Sequence, residues 1–419
     1  MMYPTRRALL SAGLAATALP ARAAGEEDEI LDALRLIASG DADLQREPLK
    51  KLELRRKTDV VAALIDLARY VDDDEDLILA TLARLTGNLD ADEWLDWMNW
   101  QQLRPEIASF PGYAGFKRML FGLADPRFAE LIPARGASGI RPAEIAWSGI
   151  KRDGVPALTE PRTVMAAEAA FMAEDELVFG VAIGKSARAY PARIVDWHEV
   201  VNDSVDGTPL CLAYCVLTGA PIVFDRRVSG AAEPLRLETS GLLYRSNKLL
   251  VDTASNSLWV QFEGRAVTGT MFERGAVLKR LPLVATRWSE WRKTHPASQV
   301  LSLETGHARD YGPGKAHVAY RANPLPLFPV VLADRRLNPK DPVYGVRHGG
   351  AARAWPLAAL EGGKRFEDRI GDARVVVEGG MDRRDVRVRH ADNGRSLEGH
   401  LAYWFAWASF NPGTGLYGT

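Results

Sequence analysis

The sequence predicts an α+β protein: a helical N-terminal domain followed by a duplicated, mainly antiparallel β domain of two related units with a pseudo-twofold relation. Three observations carry this expectation. Apolar residues at i, i+3 and i+4 run through the first part of the chain, as in Val60, Val61, Leu64, Ile65, Leu67 and Ala68. From Leu177 onward the pattern changes to short β runs separated by turn residues. Finally, Val178–Pro191 reappears as Val343–Pro356 at a constant offset of 165, with eight of fourteen residues identical.

The chain has 419 residues, enough for two or three domains with ample core. Residues 1–24 read as an export signal. Arg6 and Arg7 precede a modest apolar stretch, and Ala21, Arg22 and Ala23 form a small-x-small cleavage pattern. The paired arginines resemble a twin-arginine leader, which carries folded proteins. The mature protein is therefore expected to be periplasmic or otherwise exported, and soluble. No later segment reaches the ~18 apolar residues of a membrane span. A net charge of −1 gives no electrostatic reason to expect nucleic acid as a partner.

Residues 25–132 form the helical domain, HEAT-like in its consecutive helical pairs and open to a protein partner. Its acidic stretch Asp72–Asp76 suits a helix cap. Trp94, Trp97 and Trp100 stand on one helical face, which reads as core or a domain interface. Residues 133–176 turn Gly- and Pro-rich and read as a linker or strap. The first β unit, 177–325, is expected to hold strands at Leu177–Ile183, Arg188–Ile194, Leu210–Leu217, Pro221–Phe224, Leu235–Glu238, Leu249–Asp252 and Ser257–Val260. The second unit, 326–419, shares a later anchor: Trp288, Trp291 and Pro296 match Trp404, Trp407 and Pro412 in spacing. Between the anchors the second copy is 49 residues shorter. It also places Gly363 against His198 and Gly380 against Cys215, so the reactive side chains stand in the first copy only.

The chain has two cysteines, Cys211 and Cys215. Four apart on a strand they lie ~13 Å from each other, too far for a disulfide. Two chemistries suit the cluster of His198, Glu199 and Cys215. His198 and Cys215 are ligand types for copper, or for zinc as the alternative, with His295, His307 or His317 as third ligand. Metal-assisted redox chemistry with one copper ion is the leading expectation. The second is a Cys215 nucleophile with His198 as base and Glu199 or Asp203 orienting the imidazole. Asp203 also suits turn capping, having an identical partner in Asp368. Against both chemistries stand a buried, inert cysteine and a histidine bonded to a backbone carbonyl. The rival class is a non-enzymatic ligand- or partner-binding module. Tyr244, Arg245, Asn247, Asp252, Trp259 and Gln261, with donors and acceptors in the segments the second copy lacks, are candidates to line a pocket for a small polar substrate. Phosphate-loop, dinucleotide and Cys-x-x-Cys-His patterns are missing, so neither a nucleotide cofactor nor a c-type haem is expected.

Several ordered motifs resemble a known family. Tyr190-Pro191, Trp197-His198-Glu199, Asn202-Asp203, Tyr214-Cys215, Thr218-Gly219, Ser240 to Tyr244, Ser257-Leu258-Trp259 with Gln261, His295-Pro296 and Arg309 to Gly312 are similar to the domain-of-unknown-function family 3179. The resemblance runs from about Leu177 to the C-terminus. It implies an exported bacterial or archaeal protein and no assigned reaction. Many members carry Cys-Pro-Leu-Cys where this chain has Cys215-Val216-Leu217-Thr218. The departure argues against a dithiol mechanism, because Thr218 cannot resolve a mixed disulfide.

Overall fold

The computed structural model describes residues 25–71, 75–133, 138–380 and 384–418. Residues 1–24, read as the export leader, residues 72–74 of the acidic stretch, residues 134–137 and 381–383, and Thr419 lie outside them. Helices Glu26–Ala38, Ala42–Leu54, Val61–Tyr70, Glu75–Thr86, Trp94–Gln102 and Tyr113–Ala124 form the N-terminal domain. Val61–Tyr70 runs through its centre, with eight of its ten residues buried. Trp94 and Trp97 are buried, so that aromatic face is core.

The β region is built of five sheets, the blades of a five-bladed β-propeller, and this corrects the expected pair of units. Sheet I orders Val284–Arg287, Leu177–Ile183, Ser186–Pro191, Gln299–Leu301 and Thr163–Met165. Sheet II orders Arg280–Leu281, Ala220–Asp225, Thr208–Cys215, Val200–Val205 and Leu158–Thr159. Sheet III orders Ile145–Trp147, Leu237–Tyr244, Asn247–Asp252, Leu258–Val260 and Arg265–Ala266. Sheet IV holds Gly399–Tyr403, Pro342–His348, Ala351–Pro356 and Gly415–Leu416. Sheet V is the meander Arg365–Ile370, Ala373–Gly379 and Val386–His390.

The repeated stretch has a local structural meaning. In sheets I and IV it forms a hairpin flanked by one antiparallel and one parallel strand. Trp291 covers Gly180 in sheet I, and Trp407 covers Gly345 in sheet IV. Such likeness is the ordinary relation of one propeller blade to another. It does not divide the β region in two, because sheet III stands between and the chain returns from it to sheets II and I.

The stretch 133–176 acts on three sheets at once, giving Ile145–Trp147 to sheet III, Leu158–Thr159 to sheet II and Thr163–Met165 to sheet I. One apolar cluster joins the helices to sheets III and IV: Leu64, Phe121 and Phe128 share it with Leu242, Val260, Trp404 and Trp407. The strand expected at Arg188–Ile194 stops at Pro191, where the helix Ala192–His198 begins. That short helix aims the histidine of interest.

Candidate functional site

His198 ends its helix, and Glu199 turns the chain into Val200–Val205 with φ 58°, a left-handed conformation rare for a side-chain-bearing residue. The imidazole is fully buried. Its Nδ1 lies 2.8 Å from the Pro156 carbonyl, which only accepts, so Nδ1 carries the proton. Its Nε2 therefore accepts from the Tyr311 hydroxyl at 2.6 Å, and Tyr311 in turn receives the Thr305 hydroxyl at 2.6 Å. Burial pushes the imidazole pKa down to about 4; the Pro156 bond opposes this, while His307 and Arg309 add to it. At neutral pH His198 is neutral, and both ring nitrogens are committed.

Cys215 ends strand Thr208–Cys215 and is also fully buried. Burial pushes its thiol pKa up, against hydrogen bonds from the Thr218 side chain and the amides of Lys248, Thr218 and Leu217. Cys211, in the same strand, is pushed up to about 12 by burial. Both thiols are free. The partners of Cys215 and those of His198 are different residues.

Two of the candidates for a third ligand have other partners, and His307 lies beside His198. His295 packs at a tilt against Trp291 with ring centres 4.2 Å apart, His307 lies against His198 at 5.0 Å, and His317 bonds the Asp196 carbonyl at 2.9 Å. Among the described residues, no group of three or more His, Cys, Asp or Glu side chains could hold a metal ion. This overturns the expected copper or zinc centre and the metal-dependent oxidoreductase built on it. The cysteine-nucleophile reading falls as well, because His198 serves Pro156 and Tyr311 and leaves Cys215 without a base. The physical reason is common to both corrections. Closeness along the chain put His198 and Cys215 in one hairpin, whereas partners distant in sequence had already taken their reactive atoms.

Glu199 makes a buried ion pair with Lys248 of sheet III. Burial brings the Lys248 ammonium pKa down to about 7. Beside them Asp196 pairs with Arg321 at 2.5 Å. Burial raises the Asp196 pKa to about 6, with Arg321 opposing. Sequence reasoning missed Lys248 and Arg321. The signal for Lys248 was a single cation ahead of the apolar Leu249, Leu250 and Val251.

The six residues expected to line a substrate pocket lie on sheet III and its turns. Asn247, Asp252, Trp259 and Gln261 are fully buried. Gln261 donates to the carbonyls of Ala213 and Ala220, both at 2.9 Å, and accepts from Asn247 at 2.8 Å. Asn247 also donates to Thr218 and accepts the amide of Phe262. Asp252 accepts from the Trp259 indole at 2.9 Å and from Ser255. Tyr244 packs edge-on against Phe410. Arg245 and Ser246 both take positive φ in the hairpin turn, where Arg245 bonds the Ser409 carbonyl at 2.8 Å and faces Glu144 at 3.4 Å.

The architecture is a β-propeller carrying an N-terminal helical domain and closed internally by buried polar networks. Residues 152–398 match the family model described as "Protein of unknown function (DUF3179)", and the chain belongs to that family. No curated protein matches it, and no solved structure does. Membership agrees with the exported location read from the leader. Among the described residues no helix is long and apolar enough to cross a membrane.

Proposed function

We propose that this exported protein is a non-catalytic binding module, whose blades hold a polar ligand and whose helical domain meets a protein partner. The observation that supports this is the commitment of His198: both nitrogens are bonded within the frame, and the ring is neutral at physiological pH. The side chains of Asn247, Asp252 and Gln261 are committed in the same way, Asn247 and Gln261 tying sheet III to sheet II and Asp252 bonding within sheet III.

Equilibrium dialysis of the exported protein against a small-molecule extract of the producing cells, read by mass spectrometry, tests the ligand half of this reading. Compounds should be enriched on the protein side with unchanged mass, and equally so for Cys215→Ser. Consumption of a compound by wild type, abolished in Cys215→Ser, would sink the reading in favour of catalysis.

A further inference from the structure

Three blades meet at a cluster of cations that the frame neutralises only in part. Sheet III contributes Glu263 and Arg265 from the turn at the end of its meander, sheet II contributes Arg280, and sheet IV contributes Arg347 and His400. Glu263 is the one carboxylate in ion-pair reach of these arginines among the described residues. Its contact with Arg265 is 2.5 Å, and with Arg347 3.7 Å. Arg280 has a single hydrogen-bond partner among the described residues, the Phe262 carbonyl at 2.6 Å. Two guanidinium groups therefore share one carboxylate, Arg347 also donating to Asn411 and the Phe410 carbonyl and Arg265 to the Gly139 carbonyl, while Arg280 has no carboxylate in ion-pair reach among the described residues.

The cluster is open on one side. Arg265 and Arg347 each keep a third of their side-chain surface exposed, and Arg280 is half-buried. Burial and the neighbouring Arg347 bring Arg280 down to about 10, with Glu263 opposing. An incoming anion would relieve both effects.

A second observation points to the same place. His400 is 3% exposed, its Nδ1 lies 2.9 Å from the Leu401 carbonyl, and its Nε2 is buried with no hydrogen-bond partner. Its ring stands edge-on to Phe262, 4.6 Å between centres, and the Phe262 carbonyl is the one that holds Arg280. Burial, Arg280 and Arg347 all keep the imidazole neutral, so Nε2 presents a lone pair that lacks a donor. An unsatisfied buried acceptor costs ~1–3 kcal/mol, and a ligand that satisfies it recovers that cost.

We propose that Arg280, Arg347, Arg265 and His400 form a binding site for a small oxyanion that also carries an O–H donor, of the hydrogen phosphate or hydroxycarboxylate kind. The oxyanion accepts from the guanidinium groups, and its hydroxyl donates to Nε2 of His400. This deepens the binding-module reading and rests on it.

Isothermal titration at constant ionic strength tests the site with two matched pairs of probes. Phosphate is set against sulfate, and citrate against tricarballylate; the second member of each pair lacks the O–H group at neutral pH. Phosphate or citrate should bind one to one and more tightly than its counterpart. Arg280→Gln should weaken binding roughly tenfold or more, as expected for losing a charge-assisted hydrogen bond. His400→Phe should erase the preference within each pair. Should either variant fail to fold, the wild-type His400 imidazole nitrogen resonances still report, shifting with phosphate and not with sulfate. Absence of binding by all four probes, or equal binding by wild type and a folded Arg280→Gln, overturns the site. The two readings fail separately. Unaltered neutral compounds retained in the dialysis, with no anion bound, would remove the ligand class and leave the binding module standing. Anion binding at the arginines together with Cys215-dependent turnover would do the reverse.

Discussion

Asn247 and Gln261 face each other in the protein interior, the Asn247 amide donating to the Gln261 side-chain oxygen over 2.8 Å. The pair locks sheet III onto sheet II, because Gln261 spends its own amide on the carbonyls of Ala213 and Ala220. Gln261→Leu would strand two buried carbonyls and one Asn247 donor. Each unsatisfied group costs ~1–3 kcal/mol, so a loss of about 3 kcal/mol is expected. Urea unfolding of the purified variant measures it. A loss below about 1 kcal/mol would mean that water or a shifted side chain replaces the network.

Gly180 and Gly345 are held without side chains by tryptophans. A Cβ on Gly180 would overlap the Trp291 indole, and one on Gly345 the Trp407 indole. Trp291 is 2% exposed and Trp407 is fully buried, so neither ring has room to retreat. Gly180→Ala and Gly345→Ala should each cost ~1–3 kcal/mol through overpacking. Thermal unfolding of both variants checks this, and an unchanged midpoint in either would show that the indole moves.

These glycines also show how much could be read in advance. Their equivalence, and that of Trp291 with Trp407, stood in the sequence as two separate matches; their contact did not. Periodicity located the central helix Val61–Tyr70, and apolar runs located Leu177–Ile183 and most of Thr208–Cys215, because those signals are local. Sheet membership is not local. Val284–Arg287 pairs with Leu177–Ile183 across about a hundred residues, and nothing in its four residues names that partner. The site failed for a related reason. His198 and Cys215 were legible as polar groups in an apolar setting, but Pro156, Tyr311 and Lys248, which engage them, come from other parts of the chain.

Asp203, on sheet II, and Asp368, on sheet V, do the same work with different burial. Asp203 accepts from Arg188 at 2.9 Å and from the Tyr190 hydroxyl at 2.8 Å; Asp368 accepts from Arg353 at 3.0 Å and the Trp355 indole at 2.8 Å. The carboxylate is 6% exposed in the first and 14% in the second. Removing one partner of a buried pair costs ~3–5 kcal/mol, and the cost falls as water reaches the site. Asp203→Ala should therefore destabilise more than Asp368→Ala, a ranking that chemical denaturation reads directly. The reverse order would place the tighter of the two networks between sheets IV and V.

His198 gives the protein an acid-sensitive element. Its folded pKa of about 4 lies below the ordinary histidine value of 6.5, so between these limits the unfolded chain binds a proton that the native state refuses. A depressed folded pKa contributes stability that is complete above pH 6.5 and is lost as pH falls toward 4. At ~1.4 kcal/mol per unit the contribution is at most about 3 kcal/mol. Asp196, raised to about 6 by burial, acts in the opposite sense and gains as pH falls, so the wild-type slope alone is ambiguous. The difference between wild type and His198→Gln isolates the imidazole. Urea unfolding at neutral pH and near pH 4 should show the wild type losing about 3 kcal/mol more than the variant across that range. Parallel losses in the two proteins would mean that His198 accepts a proton in the native state, and with it that the Tyr311 hydroxyl has turned away from Nε2.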